Sequence, residues 1–264
     1  MKQTLTLLLF LFFPILSQNI ALAQNQIVIH PDKKAKEPQK PLVDDVKLLD
    51  ALDPNGEIWV AKDKKSVILL ATVCLNKGVL EFFLCSTDTK DYESVVSTSV
   101  KPYMIHAALL VTGIEPGTPV IHSPKFKPPT GPVVKITVRW LDKDGKRHET
   151  DARKWVQNIK SKKSLESDWV FAGSLFRKQQ NGRLSYLADS TGEIIGVSNF
   201  ATVVLDVPFE SSNNDDSRLF QAFTENIPES GTPVTLILTP EKTGKDKLVS
   251  TIPSSFQVFP ETGY

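Results

Sequence analysis

Residues 66–86 read SVILLATVCLNKGVLEFFLCS, and the way this stretch folds decides the arrangement of everything after it. Ser66–Leu75 and Val79–Ser86 are apolar and rich in β-branched and aromatic residues, and Asn76-Lys77-Gly78 between them has turn composition. The reading is a β-hairpin. With Lys77-Gly78 as a two-residue turn, Asn76 faces Val79 and Cys74 faces Glu81. Cys85 then lies four residues beyond the partner of Cys74, about 13 Å away at roughly 3.3 Å per residue. Bridged cysteines keep their α-carbons within about 7 Å. The chain has two cysteines, so the expectation is two free thiols, behaving as small buried hydrophobes.

Downstream, Glu93–Ser99 reads as a third strand. Lys101–Thr112 (KPYMIHAALLVT) reads as a buried helix, with Pro102 in its first turn and Gly113 at its stop. Gly113–Gly131 is a Pro- and Gly-rich connection. Val134, Ile136, Val138 and Trp140 alternate with polar residues, the pattern of a half-buried strand, and Asp142–Gly145 turns the chain back. Asp151–Lys160 places Ala152, Trp155, Val156 and Ile159 on one helical face behind Thr150 as N-cap. Short strands are expected at 169–172, 184–187, 193–197 and 202–207. A third helix follows Asp216 with Leu219, Phe220 and Phe223, and Val234–Thr239 is the last strand. The four tryptophans, Trp59, Trp140, Trp155 and Trp169, fit strand or helix faces as core residues. Helices and strands are interspersed without βα alternation. The expected fold class is therefore α+β, a single domain with a largely antiparallel or mixed sheet and about three helices.

The first 23 residues have the order of a signal peptide: Lys2, an apolar run from Leu5 to Leu16, and Ala21-Leu22-Ala23 as the cleavage site. The run is shorter than the roughly 20 residues needed to span a bilayer. The expectation is an exported protein, periplasmic or extracellular, with no transmembrane segment after signal removal. Residues 24–48 follow as a spacer. Within it, residues 30–48 hold three Pro, five Lys and four acids, too little apolar surface to offset ordering entropy. The globular domain spans 49–240, and 241–264 form a C-terminal tail. The whole chain of 264 residues carries 31 basic and 30 acidic side chains, and the signal holds one Lys and no acid. A neutral working protein gives no reason to expect a nucleic-acid partner. Two cysteines cannot supply an iron–sulfur cluster, and no cofactor is expected.

From about Leu42 to Pro240 the chain resembles the YdjY-domain family, common among exported planctomycete proteins. The resemblance is carried in order by VCLNKGVLEFFLC (73–85), TKDYESVV (89–96), KPYMIHAALLVTGIEPGTPV (101–120), WVFAGS (169–174), VSNFATVVLDVPFESS (197–212) and FTENIPESGTPVTLILTP (223–240). It implies an exported domain without an assigned activity. Some related proteins carry separate iron–sulfur modules, for which this chain lacks the residues. The family often has His where this chain has Tyr92, which sets this chain apart in any His chemistry there.

Candidate residues divide into two sets. Cys85, His106 and Glu93 could form a catalytic or redox group, His106 acting as base for a Cys85 thiolate. A lone His in an apolar helix is more often a hydrogen-bonded core residue. A metal site from Cys74, Cys85, His106 and His122 lacks the close ligand pairs of structural zinc centres, so no metal is expected. The polar run Ser86–Ser94 supplies Asp88, Asp91 and Tyr92, and Asn199 lies in a family-like stretch; these are the ligand-binding candidates. The same run also reads as a hydrated loop that closes turns on its own backbone. Gly196–Phe200 lacks the second Gly of a nucleophile elbow. With no recognisable catalytic motif, the leading expectation is a non-enzymatic envelope module that binds a protein, an envelope component or a small ligand. The alternative is an enzyme or redox accessory using Cys85, His106 and Glu93.

Overall fold

Two short strands, β1 (Leu49–Ala51) and β2 (Ile58–Ala61), lead into β3 (Val67–Val73). Strands β4 (Phe82–Ser86) and β5 (Ser94–Thr98) and the helix α1 (Pro102–Val111) follow. Next come β6 (Val133–Leu141), β7 (Arg147–Asp151), β8 (Val156–Asn158) and β9 (Trp169–Phe171). β10 (Phe176–Lys178) and β11 (Leu184–Tyr186) precede the short helix α2 (Leu187–Thr191). β12 (Glu193–Gly196), β13 (Leu205–Asp206), β14 (Phe220–Ala222) and β15 (Pro233–Pro240) complete the domain, and Val258–Phe259 pairs parallel to β10. This computed structural model describes residues 39–212, 214, 217–241 and 258–259; the signal peptide and most of the spacer and tail expected above lie outside them.

Eight strands close on themselves in the order β3–β15–β6–β9–β13–β12–β4–β5, with β5 pairing back to β3. β1 and β2 extend the sheet from β3, and β7 adds to β6. The fold is thus a mostly β, closed barrel with two helices among the described residues, and the expected α+β class with three helices is corrected. Closure removes the unpaired backbone edges that an open sheet would expose. Directly paired positions Val73, Val96, Leu84, Ile195, Leu205 and Phe171 run across six strands as one apolar row. All six are buried in the same hydrophobic cluster. In β6 the alternation is as the sequence reads, with Val134, Ile136 and Val138 buried.

The hairpin of residues 66–86 does not form. β3 pairs antiparallel with β5, and β4 pairs parallel with β5, so β5 lies between the two supposed hairpin arms. Residues 78–80 are drawn elsewhere: Leu80 N–H donates to Phe220 O, Ala222 N–H donates to Gly78 O, and Val79 bridges Gln221. Those partners belong to β14, where a helix was expected. The other unformed helix, 151–160, is a 3-10 turn at Ala152–Trp155 running into β8, and β8 pairs with β14. The Asp151 carboxylate starts that turn by accepting from Arg153 N–H. Each misread segment is the other's strand partner, a non-local pairing that overrides a helical period.

Helix α1 buries Ile105, His106, Ala108 and Leu109 and leaves Tyr103 and Val111 exposed, so it is buried on one side and not all round. At the other end of the chain order, Leu42 N–H donates to Thr235 Oγ1 at 2.9 Å and Arg139 donates to Leu42 O. Asp44 pairs with Arg147 at 2.8 Å. The last residues of the expected spacer therefore lie on β6, β7 and β15.

The long connection after α1 is pinned at a backbone contact. Gly117 N–H donates to Phe171 O at 2.8 Å, and a β-carbon on Gly131, whose φ is +147°, would lie 2.1 Å from that same oxygen. Gly145 in the β6–β7 turn also has positive φ but meets nothing within 4 Å. Gly145→Ala should cost about 1–2 kcal/mol from the left-handed backbone alone. Gly131→Ala should cost about 3–5 kcal/mol, because backbone must move as well. Urea unfolding of the two variants checks this, and equal losses would refute the contact.

Candidate functional site

The residues between β4 and β5 build the site. Parallel neighbours cannot be joined by a tight turn, because the chain must travel back the full length of the first strand. Ser86 at the end of β4 is paired with Thr98, and Phe82 at its start with Ser94. Residues 87–93 therefore run back along β4, ending in a 3-10 turn at Asp91–Glu93. That return lays Asp91, Lys90 and Glu93 beside side chains of β4 and its flanks.

Its first result is a thiol–carboxylate group. The sulfurs of Cys74 and Cys85 and a carboxylate oxygen of Asp91 all lie within 4.8 Å of one another. Cys85 is fully buried, while Cys74 and Asp91 are half-buried. Cys85 Sγ donates to Asp91 Oδ1 at 3.5 Å, and Cys74 Sγ donates to Ser94 O at 3.0 Å. The second Asp91 oxygen accepts the Asp88 N–H at 2.8 Å, which fixes the carboxylate. The neighbouring Cys74 sulfur draws the Cys85 thiol below its ordinary value, and Cys85 together with burial pushes the Cys74 thiol up. Both cysteines are free, but the hairpin register that would set their backbones about 13 Å apart does not form, and the sulfurs come together. They meet across β5 because Cys74 N–H donates to Val95 O on one side of that strand while Cys85 is paired with Ser97 on the other.

Its second result is a buried ion cluster. Arg218 donates to Glu81 and stands 3.6 Å from Glu93, and Lys90 Nζ reaches Glu93 at 3.3 Å. Lys90 also lies over the Phe82 ring, which stacks on Phe200. Burial first, and then the neighbouring Glu93 charge, push the Glu81 carboxyl up to about 7.

His106 belongs to a third place. Its Nδ1 is 2.9 Å from the Tyr186 hydroxyl, which donates to Gly173 O at 3.1 Å, and its ring packs edge-on against Phe171. Burial lowers its pKa to about 4, so the imidazole is neutral at pH 7. Cys85, His106 and Glu93 thus have three separate sets of polar partners. His122 packs near Phe126, and Asp91 stands with the cysteines where the weighed metal set had His106 and His122.

Of the ligand-binding candidates, Asp88 contributes its backbone N–H at φ +62°. Tyr92 is 68% exposed. Asn199 is buried: its side chain donates to Asp206 and to Val207 O and accepts from Ser211 N–H. Burial raises the Asp206 carboxyl well above its ordinary value, and this network ties the β12–β13 connection together. A separate cavity of about 380 Å³, lined by Lys163, Glu166, Phe209 and Leu219 among others, contains none of the predicted residues. Glu81, Arg218 and the proximity of Cys74 were missed. The signal was the shortness of the polar run 86–94 between two strongly β segments.

Glu81 makes a pH dependence testable. Its folded pKa, about 7, exceeds the ordinary 4.5, so the folded state holds this proton more tightly than the unfolded state. Its contribution to stability is complete below pH 4.5 and is lost as pH rises through 7. Glu81→Gln carries no such titration. The stability of the wild type relative to this variant, measured by urea unfolding, should therefore fall from pH 4.5 to 7 and level off above. A difference that does not change with pH would refute the assignment.

Comparison with known proteins agrees with the resemblance read from the sequence. The YdjY domain model matches residues 58–239, a span running from β2 through β15. No curated protein and no solved structure is significantly similar to the chain. The matched residues include every barrel strand, both cysteines and the return segment, and the chain belongs to the YdjY-domain family.

Proposed function

We propose that this protein is an exported, non-enzymatic binding module of the cell envelope. The observation that carries the reading is the placement of His106. The imidazole base that a cysteine–histidine enzyme places at its sulfur is not there: His106 is hydrogen-bonded to Tyr186 and packed on Phe171, and the group that reaches Cys85 is the carboxylate of Asp91. The Glu93 carboxylate is paired with Lys90 and Arg218. A rigid barrel carrying a short, polar, partly exposed loop is the usual form of a recognition scaffold. Tyr92, exposed beside the carboxylates of that loop, is the side chain a protein partner, an envelope component or a small ligand would meet first. The near balance of 31 basic and 30 acidic side chains supports a partner other than nucleic acid. Export rests on the order of features in residues 1–23, and among the described residues no helix is long and apolar enough to cross a membrane.

One observation bears on the redox part of the alternative: the two sulfurs lie within 4.8 Å of one another, but on backbones separated by β5, which opposes a disulfide between them.

Native-state alkylation, resolved by peptide mass, distinguishes a catalytic His106 from a core His106. The expected outcome is slow modification of Cys85 with the same pH dependence in the wild type and in His106→Gln. The variant should lose about 1–3 kcal/mol of stability through the disturbed hydrogen bond to the Tyr186 hydroxyl. Rapid modification whose pH midpoint moves when His106 is replaced would overturn the non-enzymatic reading.

A further inference from the structure

We propose that Cys74, Cys85 and Asp91 bind a thiophilic divalent cation of the zinc, cobalt or cadmium type. This goes beyond the binding-module reading and stands or falls separately from it.

Three donors from three segments converge: the residue after β3, the middle of the β4–β5 pair, and the return between them. Their ligand atoms lie within 4.8 Å of one another. In a tetrahedral centre with metal–sulfur bonds of about 2.3 Å the sulfurs stand about 3.8 Å apart, so side-chain adjustments of about 1 Å complete the set. The donors are two sulfurs and one carboxylate oxygen, a combination suited to borderline and soft divalent ions and poorly suited to calcium or magnesium. Binding transfers the two thiol protons to solvent, and the two thiolates and the carboxylate then face the ion's two positive charges.

The surroundings are those of a held ligand set. Asp91 Oδ2 accepts the Asp88 N–H, leaving Oδ1 turned to Cys85; such outer contacts orient metal ligands. Ser94 is fully buried beside the pair: its hydroxyl is turned to Cys85 and its carbonyl accepts from Cys74 Sγ. Cys74 and Asp91 are half-buried, which gives an ion a way in.

The strand order separates this proposal from a disulfide. Cys74 is hydrogen-bonded to Val95 on one side of β5 and Cys85 is paired with Ser97 on the other, so their backbones lie two strand spacings apart, roughly 9–10 Å across the sheet, with an offset of about two residues along it. A disulfide needs α-carbons within about 7 Å. The sulfurs meet only because both side chains reach over β5, and an ion can bridge that gap with the barrel unchanged.

The test uses the full chain, purified under reducing conditions, stripped of metal and titrated with cobalt(II). The expected result is one cobalt per chain with a sulfur-to-cobalt charge-transfer band, displaced by zinc. Asp91→Asn, on the partly exposed return, should fold, keep the band and lose affinity by about tenfold or more. Cys74→Ser should lose most of the band. Absence of the band in reduced wild-type protein, or Asp91→Asn binding as tightly as wild type, would overturn the proposal. So would a Cys74–Cys85 disulfide that forms without loss of the fold and is seen as a loss of two hydrogens in the intact mass, since it would show that the backbones approach closely.

Discussion

The pairing of β5 with β3 is the contact on which the rest depends. Without it the sheet would remain open, with β5 and β3 both presenting unpaired backbone groups. With it, the strand order places β5 between β3 and β4. Because β4 and β5 run parallel, the chain between them must double back over a distance of a whole strand in seven residues. A segment that short leaves little freedom, and its side chains fall where β4 and the end of β3 already stand. The thiol–carboxylate group is thus a product of closure: the same pairing brings Cys74 to one side of β5, Cys85 to the other and Asp91 to both.

The ion cluster secures the return from its other end. Glu93 is buried, and a buried carboxylate is tolerated only with partners; here they are Lys90 within the same segment and Arg218 from the approach to β14. Arg218 also holds Glu81, in the stretch that a hairpin would have placed beside β3. The charges therefore reinforce the β14 pairing that pulls residues 78–80 away from β3. Glu81 holds its proton firmly because it is buried and faces the Glu93 charge, and the arginine the two carboxylates share offsets this only in part.

What could be read from the sequence was local, and what could not was the choice of partner. The alternation in β6, the helix opened by Pro102 and the turn at Asp142–Gly145 all follow from residues adjacent in the chain, and all stand in the structure. Residues 67–73 and 82–86 are strands, within the runs 66–75 and 79–86 that composition marks. That they do not pair with each other depends on residues 94–98 and 220–222, whose preference for them leaves no trace in residues 76–78. The helical period at 151–160 and after Asp216 was genuine as a pattern, since Trp155, Val156 and Phe220 are all buried, but the burial is achieved by a 3-10 turn and two short strands. At the site, the dense polar run and the two cysteines were legible as residues. Their meeting was not, because the 13 Å separation followed from a register that the barrel does not use.

The departure at position 92 can be weighed on the same geometry. Within the 3-10 turn Asp91–Glu93, successive side chains point in different directions: Asp91 turns to Cys85, Glu93 is buried with Arg218, and Tyr92 between them is exposed. A side chain at 92 therefore faces solvent while its neighbours on both sides face the protein. The histidine that the family resemblance implies at this position would present an imidazole to solvent where this chain presents a phenol, and neither side chain would reach the sulfur pair. The proposed ion site and the proposed recognition surface therefore lie on opposite faces of a single turn, and a change at 92 bears on the second without touching the first.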